Sequence, residues 1–174
     1  MLVMGTLALS AQSQKTPTYL APFVGSPIAV VERMLELANL KPGEVLYDLG
    51  SGDGRVLIAA AQKYQAKAIG VELSERLVKL SQERIKQEGL EAKCSVIHGN
   101  LLDVDIANAD VVTVYLMRDS NDILRPKLEA SLKPGARVVS HDFEIRGWKP
   151  VLVDKSDANK RAHAIYVYEA PKKK

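Results

Sequence analysis

Two carboxylates and a run of alternating glycines carry the most chemistry in this chain. The stretch Val45-Leu46-Tyr47-Asp48-Leu49-Gly50-Ser51-Gly52-Asp53-Gly54-Arg55 sets Asp48 in an apolar run and then alternates Gly50, Gly52 and Gly54 with Ser51 and Asp53. Glycine admits positive φ and lets a ligand come close to the backbone. The spacing is D-x-G-x-G-x-G, and Arg55 keeps it from being the dinucleotide pattern G-x-G-x-x-G. Glu72 follows 18 positions after Gly54, near where a Rossmann-like unit places the acid that grips ribose hydroxyls. Alone, the glycines read as a plain strand-to-helix turn and Glu72 as an ordinary strand end. Their pairing points to a ligand.

These residues need elements to position them. Val45–Leu49 is apolar apart from Asp48, as a strand covered on both faces should be. A helix over Arg55–Tyr64 presents its unpaired N-terminal amides to the turn. Residues 68–72 form a second short strand ending in Glu72. Upstream, 16–25 contains Pro17 and Pro22 and is extended. Ser26 reads as an N-cap with Pro27 at the first helical position, and Ile28, Val31, Leu35 and Ala38 recur at helical spacing until Lys41-Pro42-Gly43 stops the helix. Ser74 caps the next helix, with Leu77, Val78, Leu80 and Ile85 inside and Gly89 as its stop. Cys94–His98 is the third strand. Residues 109–117 are the fourth, central by its Val111-Val112-Thr113-Val114. A helix over 119–132 is kinked or broken at Pro126. Arg137–His141 is the fifth strand. Residues 151–154 and 162–168 form a final antiparallel pair around a polar loop, 155–160. Residues 1–25 thus read as an N-terminal arm, apolar and then proline-rich, and 26–174 as one α/β domain.

Composition bounds the function. With 174 residues, 47% hydrophobic and 26% charged, the chain is ordinary globular material for one domain. The net charge of +3 includes Lys172, Lys173 and Lys174 in a terminal tail, so charge makes no case for a nucleic-acid platform. Aromatics at 5% weaken a base-stacking surface as well. Cys94, the one cysteine, permits no intrachain disulfide and reads as a small buried hydrophobe. Three histidines without ligand spacing give no expectation of a metal site. The apolar residues 1–11 are too short to span a bilayer. They are similar to a signal-peptide core without its basic leader. A cytoplasmic protein is expected, with export or membrane anchoring through this segment as the rival.

The glycine turn resembles motif I of the class I S-adenosylmethionine (SAM) dependent methyltransferases. The order of elements is similar to that Rossmann-like fold: a seven-stranded, mostly parallel sheet with an antiparallel C-terminal strand. Segments 19–27, 47–55 and 99–102, Arg125-Pro126-Lys127-Leu128, Lys133-Pro134-Gly135 and Ser140-His141-Asp142-Phe143-Glu144-Ile145-Arg146-Gly147-Trp148 look like small prokaryotic protein-lysine methyltransferases related to the ATP synthase c subunit lysine methyltransferase. The resemblance covers about residues 19–168. It implies SAM as cofactor and methyl transfer to the ε-amine of a lysine on a protein substrate. A monomer that does not bind nucleic acid is expected. In such a site Gly50, Ser51, Gly52, Asp53 and Gly54, with Tyr115, hold the cofactor, and the glycine amides take the carboxylate of SAM. Asp48 balances its ammonium and Glu72 takes both ribose hydroxyls. Asn100 matches the residue near the adenine amine, with Asp103 as the alternative, and Leu101 covers the ring. Pro22-Phe23-Val24 closes over the cofactor. Gly25-Ser26-Pro27 departs from the Pro-Thr-Pro-like run expected there.

At the acceptor end Tyr115, after the fourth strand, lies at the sheet edge where ligands bind and is the candidate for orienting the amine. Asp119, Asp142 and Glu144, with Trp148, are candidates for drawing in a cationic lysine. Each acid reads equally well as a solvated loop residue. Tyr115-Leu116-Met117 stands where the amide and adenine methyltransferases carry Asn-Pro-Pro-Tyr, which argues against those acceptors. With no lid domain beyond the first ~25 residues, the site should admit a large acceptor. A small-molecule or lipid methyltransferase and a non-catalytic SAM-binding partner protein are the alternatives.

Overall fold

The computed structural model describes residues 22–158 and 161–170. Expectations for residues 1–21, for the 159–160 tip and for the lysine tail lie outside them. Seven strands make one sheet: β1 (Val45–Leu49), β2 (Lys67–Glu72), β3 (Cys94–His98), β4 (Val111–Val114), β5 (Arg137–His141), β6 (Leu152–Ala158) and β7 (Arg161–Glu169), in the order β3-β2-β1-β4-β5-β7-β6. Neighbours from β3 to β5 are parallel, and β7 runs antiparallel to both β5 and β6. The helices are α1 (Ile28–Leu37), α2 (Arg55–Tyr64), α3 (Glu75–Gln87) and α4 (Arg118–Ser131).

Strand alternation divides the core between the two faces. Leu46, Val111 and Val139 join the cluster with Val31, Leu35 and Leu57 of α1 and α2. Tyr47, Leu49, Val112, Val114 and Val138 join Leu124 and Leu128 of α4 on the other face. Strand order reverses between β1 and β4. The chain therefore leaves these neighbours in opposite directions and opens a crevice at their carboxyl ends.

Several elements differ from expectation, each for a local reason. Pro27 sits at the N-cap of α1, one position before the first helical residue, and Ser26 makes no cap bond; its hydroxyl goes to His141 instead. Ile28 is exposed, and Val30 and Met34 fill its place on the buried face. β4 ends at Val114 because its partner β1 ends opposite it at Leu49, so the apolar 115–117 leaves the sheet. Helix α4 passes through Pro126 unbroken, anchored on both sides by buried Leu124 and Leu128. In α3, Ser81 is fully buried while Leu80 is only partly so, and Ser74 again makes no side-chain cap bond. Most of the polar 155–160 segment is strand: β6 is an edge strand, which tolerates polar residues, and its Asp154 receives the Arg33 guanidinium of α1 at 2.9 Å.

Candidate active site

Asp48 is buried near the carboxyl end of β1, and the Thr113 hydroxyl of β4 donates to its Oδ1 at 2.7 Å. Burial pushes its carboxyl up to about 7; the Thr113 bond opposes this, and the neighbouring acids Glu72 and Asp53 reinforce it. A buried acid held so close to neutrality suits a cationic ligand group.

The turn after β1 is folded by its own amides. Those of Gly50 and Ser51 both donate to the Val71 carbonyl of β2, at 2.9 and 3.1 Å, and that of Gly54 to the Ser51 carbonyl at 2.9 Å. The amide of Gly52 donates to Glu72 Oε2 at 2.9 Å, and Ser74 N–H to Glu72 Oε1 at 2.8 Å. In this structure the glycine amides fasten β1 to β2 and fix Glu72 beside the turn. Glycine is required at two points. Gly52 has φ +54, and a Cβ there would lie 2.4 Å from the Phe23 ring. Gly54 has φ +77 at the N-cap of α2, and a Cβ there would lie 2.2 Å from Ser81 Oγ.

Asp53 is clamped. Arg55 Nη2 approaches it at 2.8 Å and Arg84 of α3 at 2.6 Å, while Arg55 Nη1 donates to the Ser26 carbonyl at 2.7 Å. Burial alone would raise its pKa, but the two guanidiniums hold the carboxyl below its ordinary range. Asp53 thus locks the turn to α3 and to the approach to α1.

A cavity of about 340 Å³ opens in the crevice, a size suited to a small-molecule cofactor. Asp48, Gly50, Ser51, Gly52, Asp53, Glu72, Asn100, Leu101, Tyr115 and Phe23 line it. Of the residues expected at the cofactor, only Gly54 does not; it lies behind the wall as the helix cap. Asn100 is in the lining and Asp103 is exposed outside it.

The expected substrate residues scatter. The Tyr115 hydroxyl donates to Asp142 Oδ2 at 3.1 Å. Asp142 is not in the lining: it sits behind Tyr115, between that hydroxyl and His163. Asp119 is almost wholly exposed and pairs with Arg146 at 2.9 Å. Glu144 is exposed, and its carbonyl accepts from Asn121. The Trp148 indole donates to Glu129 at 2.8 Å and packs edge-on to Tyr168. None of Asp119, Glu144 and Trp148 reaches the cavity. Ser26 and Arg55, which line it, were not expected there, although Arg55 directly follows the glycine run.

The seven-stranded order, the crevice at the β1–β4 reversal and a carboxylate at the end of β2 facing the glycine turn define a class I SAM-dependent methyltransferase. The chain belongs to the family described as the ANTKMT methyltransferase domain, which matches residues 48–152. It is similar to a protein-lysine N-methyltransferase of Saccharolobus islandicus (strain REY15A), 45% identical over 148 residues that cover 84% of this chain and 92% of that one. It is 38% identical to the mouse adenine nucleotide translocase lysine N-methyltransferase, over 76% of this chain and 57% of that one. Among solved structures, an RNA methyltransferase from Salinibacter ruber in complex with S-adenosyl-L-homocysteine superposes with a TM-score of 0.80 at 41% identity, over 86% of this chain and 95% of that one.

Proposed function

We propose that this enzyme transfers the methyl group of SAM to the ε-amine of a lysine on a protein substrate. What carries the acceptor assignment is the relationship to the Saccharolobus protein-lysine N-methyltransferase over nearly its whole length. The residues present fit the cofactor: a buried acid near neutral pKa, Asp48, and a carboxylate, Glu72, face the same cavity 24 residues apart in sequence. Asp48 would hold the ammonium of SAM and Glu72 the ribose hydroxyls. Asn100 and Leu101 would meet the adenine, with Phe23 over the turn. Bound there, SAM supplies an already activated methyl group on a sulfonium, so the protein's task is alignment. A lysine acceptor must shed its proton, which at neutral pH costs about 4–5 kcal/mol from a reference pKa near 10.4. Tyr115, at the cavity wall with its hydroxyl fixed by Asp142, orients the arriving amine. Exclusion of water around it favours the neutral amine.

The likeness to the Salinibacter RNA methyltransferase supplies a second reading, methyl transfer to RNA. The modest net charge of +3 and the 5% aromatic content favour the protein acceptor. In the same reading the enzyme acts as a monomer in the cytoplasm, without nucleic acid, through the domain at 26–174. Isotopically labelled SAM incubated with a protein extract, followed by mass spectrometry, tests the assignment. Methyl label on lysine is expected. Label confined to RNA, to the organic extract or to no acceptor would replace it with RNA, small-molecule or lipid transfer, or cofactor binding alone.

A further inference from the structure

Behind the acceptor wall the fold assembles a cluster that no local spacing announced. His141 ends β5, Asp142 follows it, and His163 comes from the antiparallel neighbour β7. We propose that His141, His163 and Asp142 bind a divalent transition-metal ion, zinc by the chemistry of the donors.

Three donor atoms converge. His141 Nε2 lies 2.9 Å from His163 Nδ1, His163 Nδ1 lies 3.3 Å from Asp142 Oδ2, and His141 Nε2 lies 3.6 Å from the same oxygen. Tetrahedral zinc with bonds of about 2.0–2.1 Å sets its donors about 3.3 Å apart, the middle of that range. Both imidazoles are buried and the carboxylate nearly so. Two imidazole nitrogens and one carboxylate oxygen suit zinc and its late first-row neighbours.

The far sides of His141 and Asp142 are tied, as metal ligands require. His141 Nδ1 pairs with Ser26 Oγ at 2.8 Å, and a proton placed there leaves Nε2 with its lone pair toward the cluster. Asp142 Oδ1 accepts the Ala164 amide at 3.1 Å, which directs Oδ2 to the two histidines. The backbone is shaped for this. Asp142 takes φ +60, in the left-handed region that side-chain-bearing residues rarely adopt, and its own amide is held by the Ala164 carbonyl at 2.7 Å. The Tyr115 hydroxyl donates to Asp142 Oδ2 at 3.1 Å and so ties the cluster to the cavity wall.

A metal ion would join all three donor atoms at once. It would pin the approach to α1, the end of β5 and β7 together behind Tyr115.

The test uses the full chain purified without a metal-affinity column. Elemental mass spectrometry should find about one zinc per chain. After a strong chelator removes it, added Zn²⁺ should raise Tm, and added Co²⁺ should give visible d–d absorption. Both responses should be lost or sharply reduced in Asp142→Asn and His163→Ala. SAM binding by calorimetry checks that each preparation is folded; if the variants do not fold, the zinc content and cobalt spectrum of the unaltered protein decide. Protein that binds SAM but retains no metal and answers neither ion overturns this inference and leaves the methyl-transfer reading standing, as does a metal response undiminished in both variants.

Discussion

Asp48 is buried beside Thr113, and its carboxyl is pushed up to about 7, against an ordinary value of 3.8. Over the interval from about pH 4 to 7 the native chain therefore keeps a proton that the unfolded chain has released. Its contribution makes stability fall as pH rises through that window. Asp48→Asn should flatten that slope, read from denaturant midpoints at successive pH values. The ammonium of SAM favours the ionised carboxylate, so binding should expel a proton below pH 7. Affinity should then weaken as pH falls, toward about tenfold per unit. Calorimetry in buffers of different ionisation enthalpy measures the proton directly, and pH-independent affinity would remove Asp48 from the site. The glycines make a second residue-level test. Gly54→Ala must hold a positive φ and also displaces Ser81, whereas Gly43→Ala, at φ +80, meets open space. Gly43→Ala should cost about 1–2 kcal/mol and Gly54→Ala clearly more, in chemical denaturation.

At the scale of elements, what the sequence disclosed depended on burial. β1, α2, β3 and β5 were legible to the residue because glycines and polar turns bound them. β6 was not, because an edge strand can carry Lys155-Ser156-Asp157 without disturbing the core. β4 was read three residues too long at its end because 115–117 is apolar for a different reason: Tyr115 and Leu116 line a cavity after the sheet has stopped. Much of the cavity lining was legible because it follows strand ends: Gly50 to Asp53 after β1, Glu72 closing β2, and Asn100 and Leu101 after β3. The His141–His163 contact was not, because antiparallel pairing joins residues 22 positions apart. Trp148 was assigned to the substrate from its neighbourhood in the chain, but the fold turns it onto Glu129 and Tyr168. Trp148→Phe should therefore leave SAM affinity and methyl transfer unchanged and lower stability by about 1 kcal/mol, the worth of one lost hydrogen bond. A selective loss of transfer at intact stability would return it to the acceptor site.

For the molecule as a whole, fold and family establish the methyltransferase, while the acceptor rests on kinship and surface character. A chain of net charge +3 with few aromatics offers little electrostatic platform for a polyanion. Transfer of labelled methyl groups to a cell extract should therefore survive nuclease treatment and be abolished by protease. The reverse sensitivity would assign the RNA acceptor. The methyl-transfer reading needs the cofactor to lie between the glycine turn and the acid at the end of β2. Calorimetric titration of the folded protein with S-adenosylhomocysteine, for the unaltered chain and for Glu72→Ala, tests that most directly. The unaltered chain should bind one equivalent, and the variant, its fold checked by circular dichroism, should bind at least about tenfold more weakly, a loss of about 1.4 kcal/mol or more. Equal affinity in a folded variant, or no binding by the unaltered chain, would contradict the account.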